Sequence, residues 1–543
     1  MRIPLLLALL LVPFCALSQA QKPADSAEQK AQFDDFTVQL ERAKKQDKPL
    51  LLFLADESSA TAKKIDAEIL NSSALGSLHE AYIPTRIQLQ SEAGTRISKT
   101  YRIFKSPYLL ILNRDGEYVD GLDLSQLSSQ LINESFASQI SDWLGKRLER
   151  FKTHGGLGYV QKPLPKDDPI HAALKQWKSV REKYKDASRT FLLDHCKVTI
   201  REDGKMVRRA RSITALGDEC ASRVQNFSYY TGPNDSFQII AARTVTPEGK
   251  QNILSADQIE VEPLYRNYPA WDALKVTSYA FPGARAGCLL ELEVEITEVP
   301  QMEGHFSCVW DVDGENVPSL DSKFELEAPA RFAFQHQVLN HSAPIVETKV
   351  SGNLTRLSWS GSSEHFQPAS KSKGLSGSKP TSSRLIVATC TSWEEIGGWF
   401  LKQADAARVH SAAMDSWAEG IIKAITPGER YEKRVVNALM QALANDFRYL
   451  SIEMDRSGYQ PHSVAETFQN KYGDCKDLSL FLQECLKKAS IQSELVMLSQ
   501  GYAGTYESEI QRVPFFNHCI LKVNAPEAGF YVDPTALTLP RPD

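Results

Sequence analysis

The residues best suited to do chemistry lie near the C-terminal end of this 543-residue chain. Lys471-Tyr472-Gly473-Asp474-Cys475-Lys476-Asp477 leads into Leu478, Phe481, Leu482, Cys485, Leu486 and Ala489 at helical spacing. Gly473 and Asp474 are helix-start signals, which sets Cys475 at or near a helix N-terminus. Unpaired N–H groups and the helix dipole there favour a thiolate, the nucleophilic form of cysteine. Lys476 reads as a solvated lysine, and Asp474 and Asp477 as first-turn acids that satisfy the dipole. A thiolate nucleophile needs a base, and the base an orienter. Pro514 to Val523 alternates as a strand. After Asn524-Ala525-Pro526-Glu527-Ala528-Gly529 the chain resumes as Phe530-Tyr531-Val532-Asp533-Pro534-Thr535, the pattern of a hairpin. A turn centred between Ala525 and Pro526 sets His518 opposite Asp533 on one sheet face, and a shift by one residue leaves them diagonal neighbours. Cys475, His518 and Asp533 are the candidate catalytic residues, whereas Cys485 and Cys519 read as inert buried hydrophobes.

The rest of the chain must position them. Length alone implies about three or four domains. With 42% hydrophobic and 24% charged residues and a formal net charge of −5, the composition is that of a globular protein and lacks the basic footprint of a nucleic-acid binder. Residues 1–20 carry Arg2, an apolar run to Leu17 and a Ser18-Gln19-Ala20 end. They read as a cleaved signal peptide, so the protein is expected to be exported, periplasmic or extracellular, without a lipid or transmembrane anchor. The eight cysteines beyond it, Cys196, Cys220, Cys288, Cys308, Cys390, Cys475, Cys485 and Cys519, are widely spaced with no C-x-x-C pair, so neither a structural zinc nor any other metal is expected.

Residues 30–150 alternate helical and strand patterns: Ala31 to Lys45 and Thr61 to Leu70 as helices, Leu50 to Leu54, Tyr82 to Leu89 and Tyr108 to Leu112 as strands, Asn113-Arg114-Asp115-Gly116 as a turn, and a closing helix from about Asn133 to Arg150. Residues 151–190 read as a linker (Lys162 to Pro169) and a helix (Ile170 to Ala187). From 191 to 390 period-two alternation predicts an antiparallel β-sandwich, with a Ser/Gly/Lys-rich disordered loop from Trp359 to Arg384, about 360–384. Residues 392–543 return to helices followed by strands.

Three resemblances follow. The order of elements in 30–150, with Ser106-Pro107 before a strand, resembles the thioredoxin fold. Where the redox-active family has its C-x-x-C-K motif, this chain has Ser59-Ala60-Thr61-Ala62-Lys63, which excludes thiol–disulfide exchange. Pro107 occupies the family's cis-proline position. Ala241-Ala242-Arg243-Thr244-Val245 with Pro247, Gly249 and Lys250, followed by Ser278 to Gly283 and Gly287, resembles DUF3857, a bacterial β-domain that commonly precedes a transglutaminase-like domain. Arg448-Tyr449, Gly458-Tyr459-Gln460-Pro461, Tyr472 to Asp477, Asn517-His518 and Asp533-Pro534-Thr535 resemble the transglutaminase-like core of papain-type cysteine enzymes, with Trp393 to Trp399 resembling its usual lead-in. That resemblance implies Cys475 as nucleophile, His518 as base and then acid, Asp533 as orienter, and the Cys475 N–H as one oxyanion donor, with Tyr459 a candidate for the other. Family members often continue well past the Asp-Pro-Thr motif, whereas this sequence ends ten residues beyond Asp533. The expected fold is multidomain α+β: a redox-inactive thioredoxin-like α/β domain, an antiparallel β-sandwich, and a papain-like transglutaminase-core domain. The expected function is acyl transfer or hydrolysis on protein or peptide amides through a thioester, with no cofactor. The alternative is a catalytically silent binding or assembly protein.

Overall fold

Five consecutive apolar residues, Leu50 to Leu54, can only be satisfied by a strand covered on both faces, and they form the centre of the first sheet. The computed structural model describes residues 35–537 except 57, 71–74, 76–77, 102, 104, 126, 128–131, 155, 218–225, 265–272, 313–316, 351–352, 364–382, 451–457, 501–509 and 527. The leader at 1–20, Cys220 and most of the Ser/Gly/Lys-rich stretch lie outside the described residues. The first part contains α1 (Phe36–Gln46), β1 (Leu50–Ala55), α2 (Ala60–Ile65), β2 (Ile83–Gln88), α3 (Glu92–Tyr101), β3 (Tyr108–Leu112), β4 (Tyr118–Asp123) and α4 (Glu134–Thr153). Its sheet has the order β2-β1-β3-β4, with β1 and β2 parallel and the other pairs antiparallel. Leu51 and Phe53 pack with Phe136, Ile140 and Leu144 of α4, while Leu50, Leu52 and Leu54 pack with Ile97 of α3. Gly116 closes the β3–β4 turn at φ +81°, a conformation that favours glycine. The Ser106–Pro107 bond is cis. The helix expected over Thr61 to Leu70 ends at Ile65 and continues as a π-helical turn, Asp66–Leu70.

The middle part is β-rich. It comprises β5 (Val160–Pro163), α5 (Ile170–Val180), β6 (Arg189–Ile200), β7 (Met206–Leu216), β8 (Asn226–Thr231), β9 (Ser236–Val245), β10 (Lys250–Ile253), β11 (Glu260–Pro263), β12 (Lys275–Ala280), β13 (Leu289–Glu298), β14 (Ser307–Asp311), β15 (Ser322–Pro329), β16 (Phe334–Leu339), β17 (Val346–Val350), β18 (Leu354–Gly361) and β19 (Arg384–Thr389). Nine strands form one sheet, β17-β18-β15-β6-β7-β13-β9-β10-β5, flanked by three-stranded sheets β11-β12-β8 and β14-β19-β16. Four features differ from the sequence reading. Val160–Pro163 is an edge strand on β10 rather than linker, because its backbone finds an unpaired partner there. The helix from Ile170 stops at Val180, having buried Ile170 and Trp177. The large sheet is not wholly antiparallel: β15 pairs parallel with β6, since the chain comes back to β6 only after a long crossover. Trp359, expected in a loop, lies in β18, buried, its indole N–H donating to Ala343 O at 3.0 Å. Two buried arginines of α4 tie the first part to the second: Arg147 bonds Asp120 at 2.7 Å and Glu260 at 2.9 Å, and Arg150 bonds Glu260 at 3.2 Å.

The C-terminal part contains α6 (Trp393–Ala406), α7 (Ala412–Lys423), α8 (Tyr431–Asp446), β20 (Arg448–Tyr449), α9 (Val464–Asn470), β21 (Tyr472–Gly473), α10 (Cys475–Lys488), β22 (Ser493–Leu498), β23 (His518–Val523) and β24 (Phe530–Val532). The last three form an antiparallel sheet, β22-β23-β24. The sequence pattern predicts an amphipathic α10 with a solvated side. Instead every residue from Cys475 to Leu486 is buried, because α7, α8 and α9 cover what the sheet does not. Its apolar face packs Leu478, Phe481, Leu482 and Leu486 against Val435 and Leu439 of α8 and Leu521 and Val523 of β23. Phe481 centres an aromatic cluster, its ring 5.7 Å from Trp417, 5.0 Å from Phe447 and 6.2 Å from Phe468. Phe481→Ala therefore removes a fully buried ring and is expected to cost about 3–5 kcal/mol. Urea unfolding followed by far-ultraviolet circular dichroism measures it, and a loss under about 1 kcal/mol contradicts this packing.

Candidate active site

The first turn of α10 is built by short-range hydrogen bonds. Asp474 is the N-cap, its Oδ1 accepting from the backbone N–H of Lys476 at 3.2 Å and of Asp477 at 3.3 Å. Asp477 reciprocates, Oδ2 accepting from Asp474 N at 3.1 Å, which completes a capping box. Gly473 allows this tight entry: a Cβ there would stand 2.8 Å from Asp477 Cβ. Cys475 is the first helical residue and only 1% exposed. Its side chain packs in one cluster with Cys519, the residue after His518, whose backbone N–H favours the thiolate slightly. Ser479, one turn on, donates to Cys519 O at 3.0 Å and fixes the same strand to the same helix.

His518 opens β23. The observed pairs are Leu521 with Val532, Lys522 with Tyr531 and Val523 with Phe530. The turn thus sits one residue beyond the centre read from the sequence, so Asp533 lies just past β24 and diagonal to His518 rather than opposite it. The side chains still meet, His518 Nε2 standing 2.9 Å from Asp533 Oδ2. Asp533 Oδ1 accepts from Thr535 N at 2.9 Å and Thr535 Oγ1 at 2.7 Å, so both carboxylate oxygens are committed. Burial alone would lift the Asp533 carboxyl, but the His518 and Thr535 hydrogen bonds outweigh it and hold the group below the usual carboxylate range. Among the described residues His518 Nδ1 has no hydrogen-bond partner, and no hydrogen bond joins the Cys475 sulfur to the His518 ring.

Three expectations are corrected here. Burial pushes the Cys475 thiol up, helped by the Asp474 charge, against the pull of Lys476 and the Cys519 N–H. A helix terminus contributes about 0.3–1 kcal/mol to an anion, whereas sealing a charge from water costs several, so the resting group is a thiol rather than the expected thiolate. Lys476, read as solvated, is 1% exposed, its ammonium paired with Asp474 Oδ2. Tyr459 is also redirected: its hydroxyl lies 2.7 Å from both Val513 O and Phe516 O, anchoring the segment that leads into His518. Asp474 and Asp477 do cap the helix, but buried rather than at a wet surface.

Sequence reasoning missed His462. Its backbone N–H donates to Asp477 Oδ1 at 2.8 Å and its Nδ1 lies 3.1 Å from Asp477 Oδ2. Nothing in the spacing of residues 462 and 477 marks that pairing. Next to His518, a depression of about 510 Å³ is lined by Trp393, Val496, Met497, Leu498, Phe516, Ile520 and Tyr531. Among the described residues all seven cysteines, Cys196, Cys288, Cys308, Cys390, Cys475, Cys485 and Cys519, carry free thiols, and of these only Cys390 is exposed. No helix among the described residues is long and apolar enough to cross a membrane.

Residues 202–364 match the family model of a domain of unknown function with a solved structure, DUF3857, from the approach to β7 through β18. No curated protein matches the chain. Among solved structures, a Parabacteroides distasonis protein described as a candidate protease superposes with a TM-score of 0.55 at 15% identity, covering 64% of this chain and 67% of that one. At that identity the likeness shows a shared fold and nothing more. A DsbH oxidoreductase matches at TM-score 0.19 and 15% identity, covering 23% of this chain and 95% of that one. A Legionella pneumophila aminopeptidase A in complex with aspartic acid matches at TM-score 0.21 and 10% identity, covering 45% and 28%. Neither of these two carries an argument. The chain thus contains a DUF3857 domain within a multidomain α/β fold shared with the Parabacteroides protein.

Proposed function

We propose that residues 392–543 form a transglutaminase-like cysteine enzyme domain acting on protein or peptide amides, with Cys475 as nucleophile, His518 as base and Asp533 as its orienter. The observation that carries this reading is the His518–Asp533 pair at 2.9 Å, on the strand whose next residue, Cys519, packs with Cys475. Asp533 holds Nε2 as the protonated nitrogen, which leaves Nδ1 to take a proton. A buried thiol rather than a standing thiolate makes that base necessary.

In the proposed reaction His518 Nδ1 takes the Cys475 proton as the sulfur attacks the amide carbonyl carbon. The carbon–nitrogen bond breaks, the same proton goes to the departing ammonia or amine, and a thioester remains. Water then adds to the thioester, giving its proton to His518, and the acid leaves as the sulfur regains that proton. An amine in place of water gives crosslinking. The Cys475 N–H, at the open end of the helix, is one donor for the developing oxyanion. The Parabacteroides protein's description as a candidate protease supports an amide substrate. We read the first part as thioredoxin-like and redox-inactive, supported by its β2-β1-β3-β4 order and the absence of paired sulfurs at Ser59–Lys63. We read the protein as exported, on residues 1–20.

One observation favours the second reading, a silent binding or assembly protein: Cys475 is 1% exposed, so a substrate must displace cover to reach it. Iodoacetamide labelling of the full chain in a Cys390→Ser background separates the two, read by peptide mass spectrometry. The enzyme reading expects Cys475 to react faster than Cys485 and Cys519, with His518→Ala slowing it by about 10²–10⁴-fold. Equal rates at all three sites support the binder. A peptide-library screen scoring deamidation, cleavage and amine incorporation is expected to show at least one of them, lost in Cys475→Ser. Activity surviving Cys475→Ser contradicts the assignment.

A further inference from the structure

Four ionisable side chains meet at the start of α10: His462, Asp474, Lys476 and Asp477. Asp474, Lys476 and Asp477 are each no more than 1% exposed, and the His462 side chain is 29% exposed. Asp474 caps the turn that begins with Cys475 and pairs with Lys476. Asp477 Oδ2 accepts from the Asp474 N–H at 3.1 Å and lies 3.1 Å from His462 Nδ1, and its Oδ1 takes the His462 backbone N–H at 2.8 Å. The same carboxylate thus holds the residue before the nucleophile and the imidazole. Burial and the neighbouring Asp477 push the Asp474 carboxyl up, and Lys476 pairs with it. Despite its burial, Asp477 is instead held as a carboxylate, chiefly by its hydrogen bond to His462, so the cation that balances it is the imidazolium of His462.

We propose that His462 is a positioning residue for Cys475: as a cation bound to Asp477 it neutralises the buried cluster around the nucleophile, and its loss of a proton leaves that cluster with net negative charge and a less reactive sulfur. This rests on the reading of Cys475 as nucleophile. Burial disfavours the charged ring, but the Asp477 hydrogen bond and charge outweigh it and raise His462 above the ordinary histidine range. The charged groups facing it are Asp474, Lys476 and Asp477 from α10 and Glu466 from α9. Glu466 is itself committed to the Ser463 cap, at 2.8 Å from its hydroxyl. The sign at the sulfur follows from the neighbours: Asp474 pushes the Cys475 thiol up and Lys476 pulls it down, so removing a cation from the same cluster pushes it further up.

The test is the pH profile of Cys475 carbamidomethylation in the full chain with Cys390→Ser, with far-ultraviolet circular dichroism confirming the fold of each variant. The parent rate is expected to rise with pH, flatten as His462 deprotonates and the thiol becomes harder to ionise, and rise again above that range. His462→Gln removes the flattening and slows labelling at neutral pH by about ten-fold, the scale of one unit charge acting across a helical turn. His462→Lys, a cation over the whole range, restores the neutral-pH rate and also lacks the flattening. A His462→Gln profile matching the parent overturns the proposal, as does a folded His462→Lys variant as slow as His462→Gln. If His462→Gln fails to fold, the His462→Lys profile alone decides, by whether the flattening disappears. Parent Cys475 labelling no faster than Cys485 would instead overturn the nucleophile assignment, so the two failures are distinct.

Discussion

The first turn of α10 is sealed from water, and a sealed helix terminus must satisfy its own polar groups. Four N–H groups at a helix start have no partner within the helix. Here Asp474 accepts two of them, and Asp477 returns a bond to the Asp474 N–H. Burying two carboxylates in one turn then demands cations, which brings Lys476 inward and draws in His462. The Cys475 sulfur sits inside this arrangement. Its protonation is decided by burial first and the surrounding charges second, with the helix dipole a smaller influence.

The neighbouring hairpin meets a different demand. A histidine can act as base only if its other nitrogen is held, and Asp533 does this while Thr535 holds Asp533. Tyr459 and Ser479 then fix the two sides relative to each other. The single Tyr459 hydroxyl proton is shared between the carbonyls of Val513 and Phe516 just before His518, and the Ser479 hydroxyl donates to the carbonyl of Cys519 just after it. The site thus depends on two buried hydroxyls outside the proposed Cys475–His518 pair. Arg147 and Arg150, whose partner Glu260 belongs to the β-rich part, perform a similar structural role far from the site.

Local features of the sequence were legible where local physics decides. The five-residue apolar run at Leu50, the Asn113–Gly116 turn and the Asp474 cap all act within a few residues, and the structure places elements there. The hairpin pairing His518 with Asp533 was legible within one residue of register, because the diagonal geometry tolerates that shift. Lys476 was not: a lysine is solvated by default, and only the burial of two flanking carboxylates overrides that. His462 was invisible for the same reason, since its partner lies across a helix boundary. The solvated face expected for α10 failed because α7, α8 and α9 enclose it, a fact of tertiary packing that periodicity does not encode. The edge strand Val160–Pro163 is defined by β10, about ninety residues further along the chain.

If the proposed chemistry holds, the Cys475 sulfur, though buried at rest, forms a covalent acyl intermediate with the help of His518. Intact-mass spectrometry of the full chain after brief reaction with activated peptide esters and an acid quench detects that species. The expected result is an acyl adduct mapped to Cys475, released by hydroxylamine and lost in His518→Ala. Peptide esters that leave Cys475 unmodified, or that acylate it equally well without His518, would contradict it.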